Sequence, residues 1–203
     1  MVAAAGVDFL GLNFWPRSRR YLAIGSGAEV AAAARAAGAR VVGLFVDATL
    51  AEIEAVHRQV ALDVVQLHGE EPPERVAEVA VHLGLPVWKA LPLGDAAAVE
   101  RLAAYPAATA VLLDAPSAGR GGSGQTIALE LLALARRRHP ARDLILAGGL
   151  TPDNVAAAIA VARPWAVDAA SGVELAPGQK DPRKVRSFID AVRSVDPGDV
   201  LRD

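Results

Sequence analysis

Apolar runs of strand length recur along this chain, each followed by a segment with helical spacing, and this alternation limits the fold more than any other feature. Seven such runs can be counted: VDFLGLNF (7–14), VVGLFV (41–46), DVVQLH (63–68), PVWKAL (86–91), TAVLLDA (109–115), DLILAGG (143–149) and WAVDAAS (165–171). Between and after them lie amphipathic or Ala-rich segments: GAEVAAAARAAGAR, ATLAEIEAVHRQV, PPERVAEVAVHLG, GDAAAVERLAAY, TIALELLALARRRH, TPDNVAAAIAVA and DPRKVRSFIDAVRSV. A strand that is apolar on both faces is buried on both faces, which calls for a parallel sheet covered by helices.

Two α/β architectures accept that pattern, an open doubly wound sheet and a closed (β/α)8 TIM barrel. The polar residues separate them. Asn13, His68, Lys89, Asp114, Gly148 with Gly149, and Ser171 with Gly172 each fall at the C-terminal end of a run. An open sheet concentrates such groups at one switch point, whereas a barrel collects every strand end around one mouth. The spread over nearly all strands predicts the TIM barrel.

The 203 residues carry a formal net charge of −2 and no cysteine. Charges of both signs are mixed along the chain, so no footprint for nucleic acid or an anionic membrane is present, and a small-molecule ligand is expected. Without cysteine there is no disulfide and no thiolate nucleophile or ligand, which fits a reducing, cytoplasmic setting. The length suits one domain, taken as residues 1–196, with PGDVLRD (197–203) as a frayed tail. MVAAAG reads as the end of a helix stopped at Gly6. The expectation is therefore a barrel whose first strand and most of whose first helix are missing from this chain.

Several motifs carry chemistry. LAGGLTPDNV (146–155) sets Gly148 and Gly149 between a strand and a helix, with Thr151 as the expected N-cap and Pro152 at the first helical position. Glycines there let backbone N–H groups approach a phosphate, and ASGVE (170–174) supplies a second small-residue turn with Ser171 and Gly172. Barrels often bind phosphate with two consecutive loops of this kind; an ordinary tight turn is the alternative for either loop alone. GRGGSGQT (119–126) nearly matches a nucleotide-binding loop but has Gln125 in place of the lysine, which argues against a triphosphate site. Its Gly121, Gly122, Ser123 and Gly124 read instead as a flap or a flexible connector. Asp114, at the end of an apolar strand, is a candidate general acid or a loop-capping carboxylate. Arg17, Arg19 and Arg20 gather after the first run, where one could clamp a carboxylate. His68 ends a strand, whereas His57, His82 and His139 lack metal-ligand spacing and read as surface residues. No metal site is expected.

These segments, in this order, resemble phosphoribosylanthranilate isomerases of tryptophan biosynthesis. QLHG, GGSG, GGL-x-P-x-N-V and VD-x-x-SGVE-x-x-PG-x-KD carry the resemblance, which spans essentially the whole chain. It implies an Amadori rearrangement of N-(5′-phosphoribosyl)anthranilate to 1-(2-carboxyphenylamino)-1-deoxyribulose 5-phosphate, without a cofactor. By resemblance Asp114 is the general acid that opens the sugar, Arg20 holds the anthranilate carboxylate near His68, Asp168 lines the site, and Gly148, Gly149, Ser171 and Gly172 bind phosphate. The implied partner is a phosphorylated sugar; the resemblance leaves the oligomeric state open. The family's general base is a cysteine in an initial K-I-C-G strand, which these residues lack, so a chain of these residues alone is expected to be poorly stable and nearly inactive. A non-catalytic phosphosugar-binding barrel and a sugar-phosphate epimerase remain as alternative readings.

Overall fold

The structure, a computed structural model, describes residues 2–116 and 127–195. The flap glycines Gly121, Gly122 and Gly124, with Ser123, and the tail 197–203 lie outside the described residues. By its internal contacts the chain divides into two compact units, Met1–Ala90 with Tyr105–Thr109, and Leu91–Ala104 with Ala110–Asp203.

In the first unit a short 3₁₀ turn, Ala3–Ala5, is closed by Gly6 in the left-handed region, as the sequence predicts for a helix end. Strands β1 (Phe9–Asn13), β2 (Arg40–Phe45), β3 (Val64–Leu67) and β4 (Val87–Pro92) follow, separated by helices α1 (Ile24–Ala36), α2 (Leu50–Val60) and α3 (Pro73–Leu83). The strands pair in parallel and in chain order, with Leu12 opposite Gly43, Gly43 opposite Val65, and Val65 opposite Val87. Val41, Val65, Leu67 and Val87 from the sheet share a buried cluster with Ala31, Ile53, Val56, Val76 and Val79 from the helices. All four residues of β3 are buried, the outcome expected of a strand with no polar face.

The second unit holds α4 (Ala96–Glu100), β5 (Ala110–Asp114), α5 (Leu129–Arg138), β6 (Leu144–Leu146), α6 (Val155–Ala162), β7 (Ala166–Val167), an antiparallel pair β8 (Glu174–Ala176) and β9 (Gln179–Lys180), and α7 (Pro182–Arg193). Strands β5, β6 and β7 are parallel, Leu112 standing opposite Ile145 and Ile145 opposite Ala166. Leu112, Leu113, Leu144, Ile145 and Leu146 are fully buried.

Local chemistry explains the helix boundaries. Thr49 and Glu52 form a capping box on α2, and the Thr49 hydroxyl and N–H hold the Glu52 carboxyl below its ordinary range. Asp181 accepts from the N–H groups of Arg183 and Lys184 ahead of Pro182, which opens α7. GDAAAVERLAAY gives only a short α4 before tightening into a 3₁₀ turn, Arg101–Ala104, since Pro106 forbids a longer helix.

Two helix C-termini are completed by arginines from the preceding helix. Arg35 of α1 donates to the carbonyls of Val60, at 2.9 Å, and Ala61, where α2 ends at a φ of 54°. Arg136 of α5 donates to Ala162 O (3.1 Å) and Arg163 O (2.9 Å), where α6 ends with Arg163 at a φ of 44°. Burial lowers the pKa of Arg136, opposed by the nearby Asp143 carboxylate, and the same two causes act on Arg142. Arg136→Ala removes charged donors from four backbone carbonyls, those of Pro140 and Arg142 included. It is expected to destabilise the protein by about 2 kcal/mol in urea unfolding, whereas Arg137→Ala on the same turn changes stability by less than about 0.5 kcal/mol.

Candidate active site

Because β1–β4 are parallel, and β5–β7 likewise, the C-terminal ends of each set face one way within its unit, and most of the polar residues read from the sequence sit there. In the first unit, Asn13 Oδ1 accepts from Trp15 N at 2.9 Å and Asn13 O from Leu22 N at 2.8 Å, folding the intervening loop back beside β1. That loop leaves Arg17 and Arg19 exposed and Arg20 half-buried, its N–H donating to Ser18 Oγ at 3.0 Å. Of the three arginines, Arg20 is thus the one held partly within the fold. His68 directly follows β3, half-buried. Its N–H donates to Phe45 O at 2.8 Å, and its Nδ1 lies 3.3 Å from Nε2 of the buried Gln66. Lys89, expected among the strand-end groups, is instead only 1% exposed and paired with Glu71 at 2.9 Å. Although it stands opposite Leu67, the last residue of β3, β4 runs three residues further to Pro92, and the Lys89 ammonium is taken up by Glu71 and the surrounding carbonyls.

In the second unit Asp114 ends β5, half-buried, with Oδ1 accepting from Ala115 N at 2.9 Å. Gly148 lies against it. A Cβ built on Gly148 would fall 2.3 Å from Ala115 N and 2.8 Å from Asp114 Oδ1, and the residue has a φ of +76°. Both the conformation and the space therefore demand glycine, the space being taken first by Ala115 and then by the Asp114 carboxylate.

The glycine loop then closes differently from the sequence expectation. Thr151 is not the N-cap of α6; Asn154 is. Thr151 to Asn154 form a turn in which Asn154 N donates to Thr151 O at 3.3 Å, with Pro152 in the second position that its fixed φ suits. The Asn154 side chain ties the loop, accepting from Thr151 N (2.8 Å) and donating to Gly149 O (3.0 Å). WAVDAAS is likewise mostly not a strand: β7 is Ala166–Val167, Asp168 N adds one bond to Leu146 O at 2.7 Å, and the chain then turns into a 3₁₀ segment, Ser171–Val173. The turn is enforced by contact, for a Cβ on Gly172 would fall 1.9 Å from Leu150 O. Gly148 and Gly149 on one side, and Ser171 and Gly172 on the other, thus belong to two loops packed backbone to backbone. Asp168 follows β7 as an exposed side chain.

Sequence reasoning missed the groups that hold these loops. Lys180 Nζ donates to Ala170 O (3.0 Å) and to Glu174 Oε1 (3.1 Å), using the β8–β9 hairpin to fasten the turn before Ser171. A lysine six residues after a glutamate, with a glycine between, was the available signal. Two of the histidines read as surface groups are half-buried: His57, and His139, whose Nε2 lies 2.9 Å from Val99 O; only His82 is exposed. Among the described residues no group of three or more His, Asp or Glu could hold a metal ion, and no helix is long and apolar enough to cross a membrane.

Comparison with known proteins gives a consistent picture. The family model described as N-(5′-phosphoribosyl)anthranilate (PRA) isomerase matches residues 1–191. A relative from Rhodospirillum rubrum named N-(5′-phosphoribosyl)anthranilate isomerase is 48% identical over 197 residues, covering 93% of this chain and 89% of its own length. The crystal structure of phosphoribosyl anthranilate isomerase from Thermotoga maritima superposes with a TM-score of 0.86 at 36% identity, covering 95% of this chain and 91% of that one. A structure of phosphoribosyl anthranilate isomerase in complex with reduced 1-(o-carboxyphenylamino)-1-deoxyribulose 5-phosphate superposes with a TM-score of 0.82 at 34% identity, covering 95% of this chain and 90% of that one.

The glycine geometry gives a direct test. Gly148→Ala is expected to lower stability by at least about 2 kcal/mol in chemical denaturation. Gly25→Ala, in α1 with nothing within 4 Å of the added methyl, is expected to raise it by about 0.5–1 kcal/mol.

Proposed function

The chain belongs to the N-(5′-phosphoribosyl)anthranilate isomerase family and has that family's (β/α)8-barrel class of fold, and from this premise we propose which of its residues perform the reaction. The activity is that of a phosphoribosylanthranilate isomerase of tryptophan biosynthesis. The reaction moves the substrate from an N-glycoside to an aminoketose. It needs an acid to protonate the furanose oxygen as the C1′–O bond breaks, and a base to take the C2′ proton from the resulting iminium. The enolamine so formed then tautomerises to the ketone.

Asp114 is the acid. The observation that carries this assignment is the contact of its carboxylate with Gly148: the candidate acid is packed against the first glycine of the candidate phosphate loop. A substrate whose 5′-phosphate rests on the backbone of Gly148, Gly149, Ser171 and Gly172 brings its sugar next to that carboxylate. Small residues suit the phosphate role because a dianion can then reach backbone N–H groups directly. Arg20 and His68 receive the anthranilate ring, Arg20 through its planar fork on the carboxylate, and Asp168 borders the site. The C2′ proton belongs to a base that is not a cysteine of these 203 residues, which contain none. Gly121, Gly122, Ser123 and Gly124 form the flap in this reading, residues 1–196 act as one domain, and the setting is cytoplasmic. The ligand is the phosphorylated sugar, as supported by the relative crystallised with reduced 1-(o-carboxyphenylamino)-1-deoxyribulose 5-phosphate.

Asp114→Asn keeps the size and removes the proton donor. Expected are a fall in kcat of about 10²- to 10⁴-fold and an affinity for the reduced product analogue within about threefold of the unaltered protein. Calorimetry beside a fluorescence assay of substrate consumption measures both; an unchanged kcat would remove Asp114 from the reaction.

A further inference from the structure

The buried pair Lys89–Glu71 plays no part in the chemistry above, yet it carries a dense set of hydrogen bonds. Lys89 Nζ donates to Gly69 O (2.8 Å), Glu71 Oε2 (2.9 Å), Ala90 O (3.0 Å) and Leu67 O (3.4 Å). The Glu71 carboxylate in turn accepts from Asp47 N at 2.9 Å, and from Gly69 N at 2.8 Å through Oε2 and 3.1 Å through Oε1. Tyr105 Oη donates to Glu71 O at 3.3 Å, and its ring centroid lies 5.9 Å from Lys89 Nζ.

The bonds converge on one residue. Leu67 and Gly69, whose carbonyls both receive Lys89, are the two neighbours of His68. Gly69 is held on its N–H as well, by Glu71. A buried ion pair of this kind is an inefficient stabiliser, since apolar residues of the same volume often do as well or better. Apolar residues cannot, however, fix carbonyl and N–H groups of an irregular loop in one orientation. We propose that Lys89 and Glu71 are positioning residues that clamp the backbone on both sides of His68 and thereby set where its imidazole meets the substrate. The second half of this inference rests on the reading of His68 as a substrate-binding residue.

Lys89→Met alone strands a buried carboxylate, so the decisive variant is the neutral pair Lys89→Met/Glu71→Gln, prepared with and without His68→Ala. Two readouts apply to the folded proteins, confirmed by a cooperative thermal transition: affinity for reduced 1-(o-carboxyphenylamino)-1-deoxyribulose 5-phosphate by calorimetry, and the His68 ring Cε1–H resonance by NMR. The expected result is a displaced or broadened His68 signal and about tenfold weaker binding in the neutral pair. No further loss is expected from the pair once His68 is alanine, because coupled residues are not additive. A folded neutral pair with its His68 signal in place and its affinity within twofold overturns the inference, leaving the ion pair a matter of stability alone. A displaced His68 signal, combined with His68→Ala binding as tightly as the unaltered protein, upholds the clamp and overturns the substrate-binding role of His68.

Discussion

Parallel pairing leaves a strand with no face in water. In β2–β4 and again in β5 and β6, the backbone groups are spent on neighbouring strands and most side chains on both sides are buried. Any group that is to meet a ligand must therefore stand where a strand stops. This one constraint places Asn13, His68 and Asp114 at the ends of β1, β3 and β5. It also leaves the specific work of the molecule to loops, which have no hydrogen-bonding ladder of their own to hold them.

Much of the structure is consequently a set of devices for fixing loops. Asn154 ties the loop after β6 through two bonds, Lys180 reaches from a hairpin to Ala170, and Lys89 with Glu71 fastens the segment around His68. The glycines serve the same end by subtraction. Gly172 allows the loop after β7 to lie on the Leu150 carbonyl, and Gly148 allows the loop after β6 to lie on Asp114. The candidate acid and the candidate phosphate loop are thereby parts of one packed object rather than neighbours by chance.

The strands and most helices were legible in the sequence because burial writes itself as long apolar runs and 3.6-residue spacing, and the candidate residues were legible because strand ends are where polarity interrupts those runs. Legibility failed where a residue's role depends on a partner distant in the chain. Lys89 looks like a strand-end group until β4 is seen to continue to Pro92 and Glu71, eighteen residues earlier, to take its ammonium. Thr151 has the composition of an N-cap, but the Asn154 side chain competes for the same turn and prevails through its bonds to both Thr151 and Gly149. WAVDAAS has the composition of a strand, yet the contact of Gly172 with Leu150, two elements away, stops it after Val167. His139 carries no mark in its neighbourhood of the carbonyl, forty residues earlier, that it meets.

The arginine clamps on α2 and α6 have a bearing on how such a chain comes into being. Each helix ends in a left-handed residue that is not glycine, and each ending is completed by a guanidinium from the helix before it: Arg35 for the end of α2, Arg136 for the end of α6. The terminator always precedes what it terminates. During synthesis from the N-terminus, the group that stops each of these helices is already outside the ribosome when the helix appears, so the boundary can be set as the segment emerges, without waiting for any later part of the chain.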